Sequence, residues 1–152
     1  MLSTGDTAPD FTLQDQSGSD VRLSELLANG PVVLFFYPKA MTTGCTKESC
    51  HFRDLAGEFA EVGAQRVGIS ADKVAKQAAF DQKHDLGYPL LSDADKAVAA
   101  QFGVKRMGPL MNKRATFVIG TDRKVLAAIS SEMNMDVHAD QALDVLRTGA
   151  SA

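Results

Sequence analysis

The chain has no tryptophan and only two cysteines among 152 residues. Two cysteines allow a single intramolecular bridge, so no disulfide framework holds this fold together. They are not spaced as CxxC, no second pair exists, and His51 stands alone beside Cys50, which argues against the usual zinc patterns. An excess of one charge is also lacking. Sixteen Lys and Arg against nineteen Asp and Glu leave a net charge of −3, which argues against nucleic acid or a membrane surface as partner. No apolar run approaches the length of a membrane span. The opening Met1-Leu2-Ser3-Thr4-Gly5-Asp6 has neither a basic n-region nor an apolar h-region. A cytoplasmic location is expected, where thiols are kept reduced.

What is present is an ordinary globular composition, 45% hydrophobic and 23% charged, over a length that suits one domain spanning 1–152. Six methionines occur, with Met107, Met111, Met133 and Met135 grouped late; they read as adaptable apolar filler around a cleft or surface.

The apolar patterning alternates between strand and helix. Residues 11–13 and 21–23 read as a hairpin across a polar turn, followed by a brief helix over 24–27. Pro31 opens an apolar run over 32–37 without alternation, which predicts a strand buried on both faces. Phe52, Leu55, Phe59 and Val62 fall at spacings of three, four and three, predicting one helix over 43–62. A strand over 65–70, a helix over 71–84, a short strand over 89–92 and a helix over 94–102 follow. A loop over 103–113 then leads to strands at 115–119 and 125–129, joined by a turn at Gly120-Thr121-Asp122-Arg123, and a last helix over 137–147. The result is an α/β fold, a central mixed sheet with helices on both faces and an N-terminal hairpin. An early βαβ unit and a late ββα unit make it thioredoxin-like. The loop after strand 32–37 lies at the carboxyl end of a central strand, where such sheets place their chemistry.

Both cysteines stand in that loop and the helix it opens, in Pro38-Lys39-Ala40-Met41-Thr42-Thr43-Gly44-Cys45-Thr46-Lys47-Glu48-Ser49-Cys50. A helix N-terminus offers unpaired N–H groups and positive partial charge, and both favour a thiolate. Ionisation alone gains an activated thiol little. A thiol of ordinary pKa is roughly 3% thiolate at pH 7, so full ionisation gains about thirtyfold, or about 2 kcal/mol of barrier. Fixed donors must also wait where negative charge develops on the group the thiolate displaces. The Thr42 hydroxyl and the N–H groups around Gly44 and Cys45 stand in the right part of the sequence for that.

The segment resembles the active site of the peroxiredoxins, whose motif is Pro, three residues, Thr, two residues, Cys; here it stands as Pro38, Thr42 and Cys45. The longer match, Phe36-Tyr37-Pro38 through Gly44-Cys45-Thr46 to Glu48, Cys50 and Phe52-Arg53-Asp54, is similar to the peroxiredoxin Q subfamily, also called bacterioferritin comigratory protein. Gly5-Asp6-Thr7-Ala8-Pro9-Asp10-Phe11, Arg114-Ala115-Thr116-Phe117-Val118-Ile119 and Val137-His138-Ala139-Asp140 extend it over nearly the whole chain.

The resemblance implies a peroxiredoxin-type thioredoxin fold and a thiol peroxidase acting on hydrogen peroxide or organic hydroperoxides. Cys45 would be the peroxidatic cysteine and Cys50 the resolving one, closing an intramolecular disulfide that a thioredoxin-like reductant reopens. Thr42 would bond the substrate oxygen, Pro38 would shield the site from water, and Arg114 would stabilise the thiolate and transition state. Glu48 would orient Arg114, with Gly44 and Tyr37 in support. No metal, haem or flavin cofactor is implied, and the subfamily suggests a monomer with a weak dimer allowed. The chain departs from the subfamily at Thr43, where Pro is usual, and at Gly120, where an Asp often ends the strand.

Helix geometry adds a constraint. Residues five apart on an α-helix are separated by about 140° and about 7.5 Å along the axis. Their Cα atoms exceed the roughly 7 Å limit of an unstrained bridge. Cys45 and Cys50 therefore pair only if the first turns of their helix unwind.

Other readings of the same residues stand beside this one. A thiol–disulfide oxidoreductase would share the fold but is expected to carry CxxC. A redox-responsive binding or chaperone protein would use the disulfide to expose apolar surface. Arg114 taken alone is a solvated strand-edge charge, and Arg53-Asp54 reads equally as a structural ion pair. Lys39 and Lys47 add positive potential near the thiol or are merely solvated. Tyr37 is expected to pack beneath the site, and His84 and His138 to be surface or capping residues.

Overall fold

In the computed structural model, which describes residues 1–108 and 110–148, strands and helices alternate as the patterning predicts. In order they are β1 (Thr12–Gln14), β2 (Asp20–Arg22), α1 (Leu23–Leu27), β3 (Val32–Phe36), α2 (Thr43–Asp54), α3 (Ala56–Glu61) and β4 (Gln65–Ser70). Then come α4 (Val74–His84), β5 (Leu90–Ser92), α5 (Ala97–Phe102), β6 (Ala115–Ile119), β7 (Val125–Ser130) and α6 (Asp136–Arg147). Pro109, in the loop expected over 103–113, and residues 149–152 lie outside the described residues.

The strands form one mixed sheet in the order β2-β1-β5-β4-β3-β6-β7. β3, β4 and β5 run parallel, while β6 and β7 extend the sheet antiparallel on one side and the β1–β2 hairpin does so on the other. β3 is central and buried along its whole length, as its unbroken apolar run requires. Its side chains alternate between two cores. Val32, Leu34 and Phe36 join Phe102, Val104 and Phe117 on one face, whereas Val33, Phe35 and Tyr37 join Cys45, Phe52, Phe59, Phe80 and Leu143 on the other. The second core is rich in aromatic contacts, with the Phe35 and Phe52 rings stacked at 4.2 Å. Burying a Phe side chain contributes about 2 kcal/mol, so this stack is a principal anchor of α2 to the sheet.

Three helices differ from expectation, each for a visible reason. The helix expected over 43–62 is two, broken at Leu55, whose φ of −93° and ψ of 18° leave helical geometry. The Phe52 carbonyl, which would continue the helix, instead accepts from Arg66 Nη1 at 2.9 Å. The helix expected from residue 71 starts at Val74, because Asp72 is engaged elsewhere. The helix expected from residue 94 starts at Ala97, where Asp93 accepts the Val98 and Ala99 N–H groups at 3.1 and 2.8 Å. Among the described residues, no helix is long and apolar enough to cross a membrane.

Candidate active site

β3 delivers the chain to the carboxyl end of the sheet, and the loop from Tyr37 to Thr42 turns it into α2. That loop is tied to the next βα connection. The Ala40 N–H donates to Asp72 Oδ2 at 2.7 Å, and the same oxygen accepts from the Ser70 hydroxyl at 2.7 Å. Met41 has a φ of 69°, a left-handed conformation that costs a non-glycine residue about 1 kcal/mol or more. Thr42 returns to extended geometry and caps α2, while its Oγ1 donates to the Lys39 carbonyl at 2.8 Å. The N–H groups of Thr43, Gly44 and Cys45 fall in the first turn, where no preceding helical carbonyl serves them.

Cys45 is fully buried in that first turn, and Arg114, 5% exposed, reaches it from the residue preceding β6. Arg114 Nη2 lies 3.3 Å from Cys45 Sγ, and Nη1 donates to Glu48 Oε1 at 2.8 Å. Glu48 stands three residues after Cys45, on the same face of α2, so one guanidinium spans both side chains. Gly44 makes room for it. A Cβ there would stand 3.3 Å from Arg114 Nη2 and 3.3 Å from Met135 Cε.

Burial dominates the electrostatics. It pushes Glu48 up to about 8 against the opposing attraction of Arg114. Burial would lower Arg114, but its attraction to Glu48 and Cys45 and its hydrogen bonds to both outweigh it, and the guanidinium is held above its ordinary value. Arg114 is thus cationic throughout, while Glu48 changes charge near neutrality. Tyr37 is buried beneath the loop, donates to Gln77 Oε1, and is held up chiefly by desolvation. Both cysteines are free thiols, Cys45 buried and Cys50 half-buried further along α2. Pro38, half-buried, stands two residues after the end of β3.

The structure thus brings Cys45, Gly44, Glu48 and Arg114 into contact, with Thr42 exposed at the N-cap of α2 and Tyr37 in the same core cluster as Cys45. The Arg53-Asp54 pair stands apart from them: Arg53 Nη1 donates to the His84 carbonyl at 2.7 Å, closing the end of α4. Three groups around the site are not apparent from the sequence reading. His138, expected at the surface or at a cap, is fully buried, with Nδ1 2.8 Å from Thr116 Oγ1. Its spacing of four to Ala142 and of eight to Leu146 on the apolar face of α6 is the signal that could have located it. Thr116 stands two residues after Arg114 and so shares its face of β6. Glu132 accepts the Arg114 backbone N–H at 3.0 Å and pairs with Arg106 at 2.9 Å. Of the four late methionines, Met107, Met111 and Met133 are exposed, and Met135 lies half-buried against Gly44.

The AhpC/TSA family profile matches residues 4–128. The chain is 67% identical over 149 residues to a Mycobacterium tuberculosis protein named as a peroxiredoxin, covering 96% of this chain and 97% of that one. It is 38% identical over 155 residues to peroxiredoxin Bcp of Escherichia coli, covering 98% of each. Its structure is similar to the crystal structure of peroxidoxin BcpB from Mycobacterium tuberculosis, with a TM-score of 0.95 and 66% identity, covering 98% of this chain and 99% of the other.

Proposed function

The chain belongs to the AhpC/TSA family as a peroxiredoxin of the Bcp and peroxiredoxin Q kind, and from that premise we propose that Cys45 is its peroxide-reactive thiol and Cys50 its resolving thiol. The observation that carries this reading is the 3.3 Å approach of Arg114 Nη2 to Cys45 Sγ in the first turn of α2. A cation then meets a sulfur that stands at the positive end of a helix.

The thiolate attacks the near oxygen of the hydroperoxide, an S–O bond forms and the O–O bond breaks. Cys45 becomes a sulfenic acid, and the departing oxygen takes a proton to leave as water or an alcohol. Negative charge passes from sulfur to oxygen along that path, and Arg114 lies close enough to follow it. The Thr42 hydroxyl already donates to Lys39, so toward a peroxide it acts as acceptor and holds the O–H of the attacked oxygen. Pro38 covers the thiol side of the loop, and Tyr37 supports it from below.

Cys50 next attacks the Cys45 sulfur, closing a disulfide and releasing water. Both residues lie within α2, so the geometric limit on five-residue spacing applies, and the first turns of α2 unwind in this step. A thioredoxin-type dithiol in the cytosol reopens the bridge. Both thiols lie on one chain, so a monomer completes the cycle.

The test is peroxide-dependent turnover with a thioredoxin system, for hydrogen peroxide and an alkyl hydroperoxide. Wild type is expected to turn over, Cys45→Ser to be inactive, and Cys50→Ser to react once and stall. Turnover retained in Cys45→Ser would overturn the assignment.

A further inference from the structure

His138 has no exposed surface, and its two ring nitrogens have different partners. Nε2 lies 2.9 Å from the Ser131 carbonyl and Nδ1 lies 2.8 Å from Thr116 Oγ1. A carbonyl only accepts, so Nε2 carries a hydrogen. Burial holds the imidazole below its ordinary value, so the ring is neutral and Nδ1 accepts from the Thr116 hydroxyl. The tautomer is fixed from both sides.

That same Nε2 stands 3.6 Å from Glu48 Oε2, an oxygen that is buried and has no hydrogen-bond partner among the described residues. We propose that His138 is a positioning residue of the thiol site: its Nε2, with its hydrogen given to Ser131, stands beside Glu48 Oε2 with no lone pair to accept a carboxyl hydrogen, biases whether that carboxyl carries a proton, and so governs how much of the Arg114 charge acts on Cys45. The inference rests on Cys45 being the peroxide-reactive thiol.

Glu48 Oε1 accepts from Arg114, which leaves Oε2 as the place for a proton. A proton there meets the hydrogen already on Nε2, so the ring favours the carboxylate and opposes the effect of burial. The charged and titratable groups around Glu48 are Cys45 from α2, Arg114 ahead of β6, Glu132 from the loop before α6, Tyr88 ahead of β5, and His138 from α6. Glu132 is itself paired with Arg106. With Glu48 neutral, the guanidinium charge faces Cys45 alone. With Glu48 ionised, two anions share it.

The experiment is a carbon-13 titration of the Glu48 side-chain carboxyl in the reduced protein, assigned by its loss in Glu48→Gln, for wild type, His138→Phe and His138→Gln. His138→Phe is expected to raise the midpoint by about one pH unit, a tenfold fall in the ionised fraction at pH 7. His138→Gln, whose amide can donate to Ser131 and accept from Thr116, is expected to restore it. The falling step in peroxide rate above neutrality moves with the midpoint. A role in packing alone would lower melting temperature without moving either readout.

An unchanged midpoint in His138→Phe overturns the proposal, and a rate step that ignores a shifted midpoint overturns the link to Cys45. Should His138→Phe fail to fold, His138→Leu, which also removes the Nε2 hydrogen, carries the same expectation and the same contrary result. The carboxyl titration needs no peroxide. An unreactive Cys45 would therefore contradict the peroxidase reading while the titration still decides the His138–Glu48 relationship.

Discussion

The Tyr88 hydroxyl donates to the Ser49 backbone carbonyl at 2.7 Å, fastening the middle of the helix that carries both cysteines. Arg66 stacks over the Tyr88 ring at 5.1 Å and holds the Phe52 carbonyl, so α2 is pinned at two points beyond its first turn. Cys50 stands between these pins, so on the proposed cycle α2 loosens before the disulfide closes.

Tyr88→Phe keeps the ring under Arg66 and removes only the hydroxyl. A net hydrogen bond is worth about 1 kcal/mol, so disulfide closure is expected to quicken about fivefold. The chain has no tryptophan, so rapid quench with mass detection of the disulfide is the suitable measurement. The rate of peroxide attack itself should be unchanged.

Gly44→Ala should slow that attack while leaving the fold intact. The added methyl would press on Arg114 Nη2 and Met135 Cε at 3.3 Å, and a guanidinium shifted by a few tenths of an ångström no longer meets the sulfur. A loss of about tenfold in second-order rate is expected, with melting temperature unchanged or slightly raised because Ala is the better helix former.

Arg114→Lys removes the fork that joins Cys45 to Glu48, since a single ammonium is a compact charge that cannot reproduce both contacts. Peroxide reactivity is expected to fall about a hundredfold, the usual scale for losing one fixed donor in the transition state. Competition against a reference peroxidase measures it.

Stability should fall as pH rises from about 6.5 to 8. Glu48 ionises near its ordinary acidic value when unfolded but only near 8 when folded, so the folded chain holds the extra proton across this window. The slope is about 1.4 kcal/mol per pH unit in favour of the lower pH. His138 acts oppositely and below its ordinary value: it is neutral when folded and takes a proton when unfolded, so its contribution is lost as pH falls below about 6.5. Thermal melts across pH 6.5 to 8 should show the decline, and Glu48→Gln should flatten it.

Much of this architecture was legible because it rests on local pattern. The unbroken apolar run of β3 announced a doubly buried strand, and the proline–threonine–cysteine spacing located the first turn of α2. What was not legible depends on contacts between residues distant in the chain. The break at Leu55 follows from Arg66 taking the Phe52 carbonyl, and neither residue signals the other in the sequence. Asp72 falls near the start of the helix expected over 71–84 but holds Ala40, thirty-two positions away. His138 read as a surface residue because a lone histidine among charged neighbours usually is one. Only the packing of α6 against β6 and α2 turns it inward onto Thr116 and Glu48.

The most direct test is the rate at which hydrogen peroxide oxidises reduced Cys50→Ser, followed by mass analysis of the product. The account predicts a reaction at least a hundredfold faster than that of a free thiolate, on the order of what one well-placed donor contributes, with one oxygen added at Cys45. A rate no faster than a free thiolate, or oxygen found at a methionine and not at Cys45, would contradict it.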